Sequence, residues 1–314
     1  MDFFEDLSEI PADFGPSAVT IGKFDGVHLG HRAVIATLES VARDARLVST
    51  VVTFDRHPLA VISPATIPAS LVSNRQKREL LDDAGVDATL MLRFDAALQS
   101  LTPEEFVDRV LVSALHAKIV LVGDDFRFGV RGSGTVDTLR ELGLTRGFTV
   151  SLIADVKPNG VRRVSSTWIR ELLDSGRIDE ATVLLGRAPA VRGIVVHGEE
   201  RGRELGFPTA NLSPRSEGFV PEDGVYAARV LVDGRTYDAA VSVGNNPTFD
   251  GVPEKQVEAH LLDVELDLYD REVTVFFIEW VRGNVKFDGI EALVVQIAAD
   301  VETVRQLLAV TAGR

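Results

Sequence analysis

Residues 22–31 read Gly-Lys-Phe-Asp-Gly-Val-His-Leu-Gly-His, directly after the apolar run 17–21 and directly before an amphipathic stretch. This order of strand, glycine-rich turn and helix predicts free backbone N–H groups and a positive helix dipole at the turn, which together attract a phosphate. His28 and His31 are three residues apart, so both imidazoles fall on one face of the helix start and can reach the same phosphate. Taken alone, either histidine could instead cap the helix or be a buried structural residue.

Alternating strand and helix patterns surround this turn and extend to about residue 187. Strand-like apolar runs cover 17–22, 46–53, 88–92, 118–122 and 149–153, and helical patterns follow His31 and cover 73–84, 103–115, 135–142 and 166–174. Strands that alternate with helices are typical of a parallel sheet with helices packed on it. The first part of the chain is therefore predicted to be an α/β domain.

The pattern changes after residue 187 to closely spaced strand runs separated by turn signals. These runs cover 191–197, 224–232, 236–243, 257–263 and 272–281, and an apolar stripe from Ile290 to Leu308 predicts one long final helix. Closely spaced strands of this kind favour an antiparallel barrel or sandwich. We therefore expect two domains, residues 1–186 and 187–314, joined by a short junction at 186–189.

Composition narrows the classes of protein and site. The net charge of −14, from 33 basic and 47 acidic residues, argues against broad binding to nucleic acid or to an anionic membrane. The chain has no cysteine, which excludes disulfides, thiolate catalysis and cysteine-ligated metals. Neither a signal-peptide pattern nor a long apolar run is present, so we expect a cytoplasmic protein. The oligomeric state stays open, a homo-oligomer included.

Three well-known nucleotide-binding signatures do not occur in the chain: Walker A, the dinucleotide glycine fingerprint and the protein-kinase set. A phosphate site at residues 22–31 must therefore be of another design. The stretch resembles the H-x-G-H signature of the nucleotidyltransferase superfamily. In its longer form, G-x-F-D-G-x-H-x-G-H, it resembles the N-terminal module of the bacterial bifunctional riboflavin kinase/FAD synthetases.

Other segments resemble the same family in the family's own order. They are Thr53-Phe54 with His57-Pro58, then 122–129, 165–170, 202–211, 224–227 and 257–263, and finally 286–288 with Gln296-Ile297. The resemblance thus runs from about residue 17 to about residue 300. It implies a Rossmann-like α/β nucleotidyltransferase domain of the H-x-G-H type, followed by an all-β barrel kinase domain with a C-terminal helix.

The first reaction that the resemblance implies is attack by the FMN phosphate on the α-phosphorus of ATP, with release of pyrophosphate. The attacking oxygen is already an anion, so positioning and charge stabilisation suffice, with Mg²⁺ assisting the leaving pyrophosphate. His28 and His31 would be the catalytic residues. The ATP and phosphate contacts would be Gly22, Phe24, Asp25, Gly26, Gly30, Arg163, Ser165, Ser166, Thr167 and Arg170. Ser165 to Thr167 would serve equally as an N-cap of the following helix.

The flavin contacts implied for this domain fall in two segments. They are Phe54, His57 and Pro58 after one strand, and Asp125, Phe126 and Phe128 after another. There is an alternative for each segment. Phe126 and Phe128 could be core residues with Asp125 in a turn, and the proline-containing segment after Phe54 could be an ordinary surface loop.

The second reaction implied is transfer of the γ-phosphoryl group of ATP to the riboflavin 5′-hydroxyl. An alcohol needs a base, and Glu258 occupies that position in the motif. Thr209 and Asn211 are two apart in extended chain, so their oxygens face one way and can hold Mg²⁺. Gly198, Gly202 and Arg203 would cover the phosphates. Each assignment has an alternative. Glu258 could face water, Thr209 and Asn211 could form a Ser/Thr or Asx turn, and the segment with Gly198, Gly202 and Arg203 could be a solvated hairpin tip.

We therefore expect a bifunctional transferase that takes ATP and riboflavin or FMN, yields FMN and FAD, and has small molecules rather than nucleic acid or membrane as partners. One active module beside a decayed one is the nearest alternative. Another H-x-G-H enzyme, such as a pantetheine-phosphate or nicotinamide-nucleotide adenylyltransferase, leaves residues 206–211 unexplained. A flavin carrier without catalysis is the alternative from another functional class.

Overall fold

The structure is a computed structural model that describes residues 1–62, 64–158, 160–198, 205–245 and 255–311. The chain folds into two compact units, Met1–Ser165 and Ser166–Arg314.

The first unit is built from parallel strands and helices. Its strands are β1 (Asp2–Phe4), β2 (Ser17–Ile21), β3 (Val48–Phe54), β4 (Ala88–Leu92), β5 (Ala117–Val122) and β6 (Thr149–Leu152). Its helices are α1 (Leu29–Ala45), α2 (Leu59–Ile62), α3 (Asn74–Asp83), α4 (Ala96–Ser100), α5 (Pro103–Phe106), which continues into a π-helical segment (Val107–Ala114), and α6 (Val136–Arg146). The predicted alternation of strands and helices is confirmed, while β1, α2 and α4 are too short to give a periodic signal.

The strands form one sheet in the order β1-β4-β3-β2-β5-β6, and neighbouring strands run parallel. The chain moves outward from β2 through β3 to β4 and then returns to β5 on the other side of β2. A crevice forms where the strand order reverses in this way, outside the carboxyl ends of the strands. The segments that follow β2 and β5 therefore border the ligand-binding edge of this sheet.

Apolar clusters cover both faces of the sheet. Val19 and Ile21 pack into one cluster with Leu111, whereas Ala18 packs into the other with Leu38 of α1. Because successive strand residues point to opposite faces, β2 is buried along its whole length. The turn that follows β2 starts from a rigid base.

The second unit is a closed barrel with helices. Its helices are α7 (Ser166–Leu173), α8 (Ile178–Leu185) and α9 (Ile290–Thr311), and its strands are β7 (Ala190–Val196), β8 (Ala210–Leu212), β9 (Gly224–Val232), β10 (Arg235–Asn245), β11 (Lys255–Leu261) and β12 (Glu272–Gly283). The barrel order is β10-β11-β8-β7-β12-β9, with antiparallel neighbours. The predicted barrel and final helix are confirmed.

Helices α7 and α8 pack with the barrel. Gly176 lies against the indole of Trp280, in a left-handed conformation with φ 70°, so only a glycine fits there. The Glu222 N–H donates to the Leu173 carbonyl at 2.9 Å. These contacts explain why the compact units divide at Ser165, upstream of the junction that the sequence predicts at 186–189.

Candidate active sites

The turn after β2 has an unusual backbone. Phe24 and Val27 have φ angles of 48° and 38°, and Gly26 has 83°. Left-handed backbone is unfavourable for phenylalanine and valine, and it persists here because Phe24 and Val27 are 2% and 0% exposed. Burial of these two side chains thus holds the turn in the shape that leads into α1.

His28 is the N-cap of α1. Its Nδ1 accepts a hydrogen bond from the His31 N–H at 3.3 Å, so the helix-capping interpretation of His28 applies. An acceptor Nδ1 puts the proton of a neutral ring on Nε2. Capping and phosphate binding are therefore compatible, because Nε2–H is the atom that can donate to a phosphate oxygen.

The structure brings His28 and His31 together. Their rings stack with centroids 3.6 Å apart, and Phe24 lies against His31 at 4.9 Å. Gly30 leaves room beside them, because a Cβ there would lie 3.1 Å from His28 Cε1 and 3.6 Å from the Val164 carbonyl oxygen.

Asp25 and Gly22 shape the same turn. The Asp25 carboxylate is 9% exposed and accepts a hydrogen bond from the Leu71 N–H at 2.9 Å. A Cβ at Gly22 would lie 3.0 Å from the Phe24 ring. Both residues therefore have a structural part in forming the turn, beside any contact with ATP.

The segment after β3 lies against this turn. Lys23 Nζ and His57 Nε2 are 3.3 Å apart, and His57 Nδ1 accepts from the Leu59 N–H at 3.1 Å. The Phe54 ring meets Phe94 edge to face at 5.4 Å. His57 is thus held between the turn and the first residue of α2, next to Pro58.

The segment after β5 carries an ion pair and an aromatic stack. Arg163 lies 2.8 Å from Asp125 and 3.5 Å from Asp155, and its hydrogen bond with Asp125 raises the pKa of Arg163. Phe126 and Phe128 stack at 5.5 Å. Phe128 is 7% exposed and belongs to the core, as the core alternative holds, whereas Phe126 is only half-buried.

The motif 165–170 is divided between the two units. Ser165 is the last residue of the first unit, and Ser166, Thr167 and Arg170 lie on α7 in the second. Thr167 is exposed and Arg170 half-buried, while the intervening Ile169 is buried.

The barrel contains a cavity of about 720 Å³ that Glu258 lines. Glu258 is half-buried on β11 and lies in register with Ser242 of β10 and Asn211 of β8. Residues in register on antiparallel strands are direct neighbours, so the glutamate and the Asn211 amide adjoin. Glu258 therefore faces a cavity large enough for a ligand.

A second cavity, of about 570 Å³, is lined by the connection 264–269 between β11 and β12. Thr209 and Asn211 line both cavities, whereas Glu258 lines only the larger one. Gly198 lies so close to the Asn211 side chain that a Cβ there would be 2.6 Å from Nδ2. Gly202 and Arg203 lie outside the described residues.

Three further polar groups line or border these sites and were missed by motif reasoning. His260 Nδ1 lies 2.8 Å from the Pro208 carbonyl, just before Thr209. Arg282 lies 2.6 Å from Asp300, which is 5% exposed. The third group is Lys77, buried beneath the end of β3. Strand alternation could have indicated His260, which is two residues after Glu258 on the same face; the others follow from contacts between distant segments.

Comparisons with known proteins match a separate family to each part of the chain. The family described as FAD synthetase matches residues 10–168, and that described as riboflavin kinase matches residues 185–308. The bifunctional riboflavin kinase/FMN adenylyltransferase of Pseudomonas fluorescens is 40% identical over 314 residues, which is 100% of both chains. The chain belongs to the bifunctional riboflavin kinase/FMN adenylyltransferase family.

Other members and a solved structure extend this result. The family member of Escherichia coli strain K12 is 38% identical over 306 residues, covering 97% of this chain and 96% of its own. A crystal structure described as a macrolide-efflux protein from Streptococcus pneumoniae has a TM-score of 0.87 and 33% identity, covering 96% of this chain and 98% of its own. Across the part of this chain that the structure describes, no helix has the length and apolar character needed to cross a membrane.

Proposed function

We propose that this chain makes FMN from riboflavin and ATP in its second unit and FAD from FMN and ATP through the turn at 22–31, with release of pyrophosphate. The observation that carries this function is the pairing of two separate polar sites with two matched families. One site holds the stacked His28 and His31, and the other is a barrel cavity lined by Glu258.

FAD formation needs little acid–base chemistry, since the attacking FMN phosphate is an anion. His28 donates Nε2–H to the α-phosphate, and His31 beside it adds a second donor as charge develops on the phosphoryl oxygens. The shape of the turn depends on Gly22, Phe24, Asp25, Gly26 and Gly30, and the N-terminus of α1 adds its dipole. Arg163 binds the outer phosphates, and the motif alone assigns Ser165, Ser166, Thr167 and Arg170 to the same task.

The flavin of the first reaction lies against the two segments that follow β3 and β5. Phe54, His57 and Pro58 are proposed on one side, and Asp125 and Phe126 on the other. Phe128 supports the Phe126 ring from the core through their stack at 5.5 Å. Aromatic faces of this kind suit a planar ring system.

In the barrel, the riboflavin 5′-hydroxyl enters the larger cavity and Glu258 takes its proton. ATP occupies the smaller cavity and reaches the riboflavin hydroxyl from there, because Thr209 and Asn211 border both cavities. Their neutral oxygens fit a hard cation, so Thr209 and Asn211 are proposed to hold Mg²⁺, which would neutralise the ATP phosphates when bound. Gly198, packed on the Asn211 amide, is proposed to cover the phosphates together with Gly202 and Arg203.

We propose that the part of the chain for FAD formation extends to residue 186 and that the kinase part begins at residue 187. The motif 165–170 is assigned to FAD formation, although α7 packs in the second unit. The cytoplasm is proposed as the place of action, because both proposed reactions consume ATP and the matched relatives are bacterial enzymes.

Product analysis tests the function. Purified protein is mixed with ATP and Mg²⁺ and either riboflavin or FMN, and the flavins are separated by chromatography while pyrophosphate is measured. We expect FMN and then FAD from riboflavin, and FAD with equimolar pyrophosphate from FMN. FMN alone would indicate a decayed adenylyltransferase, and no flavin product would favour a flavin carrier.

A further inference from the structure

Lys77 is a buried lysine beside the first site. It lies on α3 and is 6% exposed, whereas lysines are usually at the surface. Its Nζ donates to the backbone carbonyl of Phe54, the last residue of β3, at 2.9 Å. A buried ammonium group is costly unless charges and hydrogen bonds compensate it, so its position needs a reason.

Charges on two neighbouring segments compensate Lys77. Burial lowers the pKa of Lys77, and the carboxylates of Asp25 and Asp55 act in the opposite direction. Asp25 belongs to the turn at 22–31, and Asp55 directly follows β3. The ammonium group therefore interacts with both segments at once.

The start of α3 is tied to the same turn. Asp25 accepts from the Leu71 N–H at 2.9 Å, and Ser73 caps α3 two residues later. On the other side, Thr53 Oγ1 donates to the Lys23 carbonyl at 3.0 Å. The turn, the end of β3 and α3 thus form one linked junction, in which Lys77 is the buried cation.

We propose that Lys77 is a positioning residue for FAD formation, one that holds the Phe54 carbonyl and the Asp25 turn at a fixed spacing. This inference rests on the proposed adenylyltransferase function. The spacing sets how the segment 54–58, assigned to the flavin, stands relative to His28. Since reacting groups must be placed to within fractions of an ångström, a shift of this segment weakens FMN binding and slows its attack.

The test compares three variants with the full-length protein. Lys77→Met removes the charge and the donors but keeps an unbranched apolar stem. Lys77→Arg keeps charge and donors. Arg78→Met is the matched control, since Arg78 is the exposed neighbour on α3 whose guanidinium lies 4.3 Å from the Phe3 ring. Each preparation is assayed for FAD formation from FMN and for riboflavin phosphorylation.

We expect Lys77→Met to raise KM for FMN and to lower kcat/KM of FAD formation by about 10- to 100-fold. Lys77→Arg should regain most of that loss, and Arg78→Met should match the wild type. Riboflavin phosphorylation should be unchanged throughout.

Three results would overturn the inference. The first is an unchanged kcat/KM in Lys77→Met. The second is a fall in kcat of Lys77→Met at unchanged KM for FMN, which indicates fewer folded molecules. The third is a Lys77→Arg variant that is as impaired as Lys77→Met. If the wild type itself makes no FAD from FMN, the proposed function fails instead, so the two failures are distinguishable.

Discussion

The imidazole rings of His28 and His31 are nearly parallel, with centroids 3.6 Å apart and 13° between their planes. Stacking at this separation brings both imidazoles to the N-terminus of α1, where they can act on one phosphate. His28 Nδ1 accepts a hydrogen bond from the His31 N–H, which leaves Nε2 as the atom of His28 that can donate to a phosphate. In the proposed reaction, the histidine pair would stabilise the charge that develops on the phosphoryl oxygens in the transition state.

His28→Ala should therefore lower FAD formation by about 100-fold or more, the loss typical of a missing transition-state donor. Riboflavin phosphorylation should be unaffected. His28→Asn is the matched control, because asparagine also caps helices and so keeps α1 stable without an imidazole. An asparagine variant with wild-type FAD formation would reduce His28 to a helix cap.

Gly30→Ala should impair the first reaction without touching a polar group. The added Cβ would lie 3.1 Å from His28 Cε1, so the ring must move. We expect a fall of about 10-fold or more in kcat of FAD formation, measured with saturating FMN and ATP. Gly289→Ala, where the new Cβ meets nothing within 4 Å, should be neutral. Equal rates in the two variants would contradict the placement of His28.

Glu258→Gln should abolish most riboflavin phosphorylation, by about 10²- to 10⁴-fold, because the amide cannot accept the hydroxyl proton. FAD formation from added FMN should stay at the wild-type rate. Glu302→Gln on the exposed face of α9 controls for the loss of one negative charge. A glutamine variant that still phosphorylates riboflavin would exclude Glu258 as the base.

The ion pair between Arg282 and Asp300 should stabilise the second unit more than the exposed pair between Arg305 and Asp263 does. Asp300 is 5% exposed and also accepts from Gln296 at 2.8 Å, so Asp300→Ala removes a buried carboxylate and leaves a partly buried guanidinium without that partner. We expect the free energy of unfolding of the second unit to fall by about 3 kcal/mol. Asp263→Ala breaks an exposed pair with Arg305 and should cost less than about 1 kcal/mol. Denaturant titrations of both variants measure the difference, and equal losses would contradict it.

Sequence patterns predicted the elements that have a clear period and the motifs that lie within one segment. Strand β2 and the turn at 22–31 follow from local signals, whereas the three residues of β8 are too short for any. The burial of Phe128 depends on its packing against Phe106, which is distant in the chain.

The same limit applies to the polar groups around the sites. Lys77 contacts a carbonyl that is 23 residues earlier, and Asp300 pairs with an arginine on another element. The division of the units at Ser165 depends on the packing of Gly176 against Trp280. Period and spacing describe one segment at a time, so contacts between segments need the folded structure.

A complementation assay tests whether one chain carries two independent catalytic sites. His28→Ala and Glu258→Gln are each incubated with riboflavin, ATP and Mg²⁺, alone and mixed, and FAD is measured by chromatography. Alone, His28→Ala should stop at FMN and Glu258→Gln should leave riboflavin unchanged, whereas the mixture should form FAD, since FMN from one variant is adenylylated by the other. A mixture that forms no FAD, or either variant losing both activities, would contradict two independent sites.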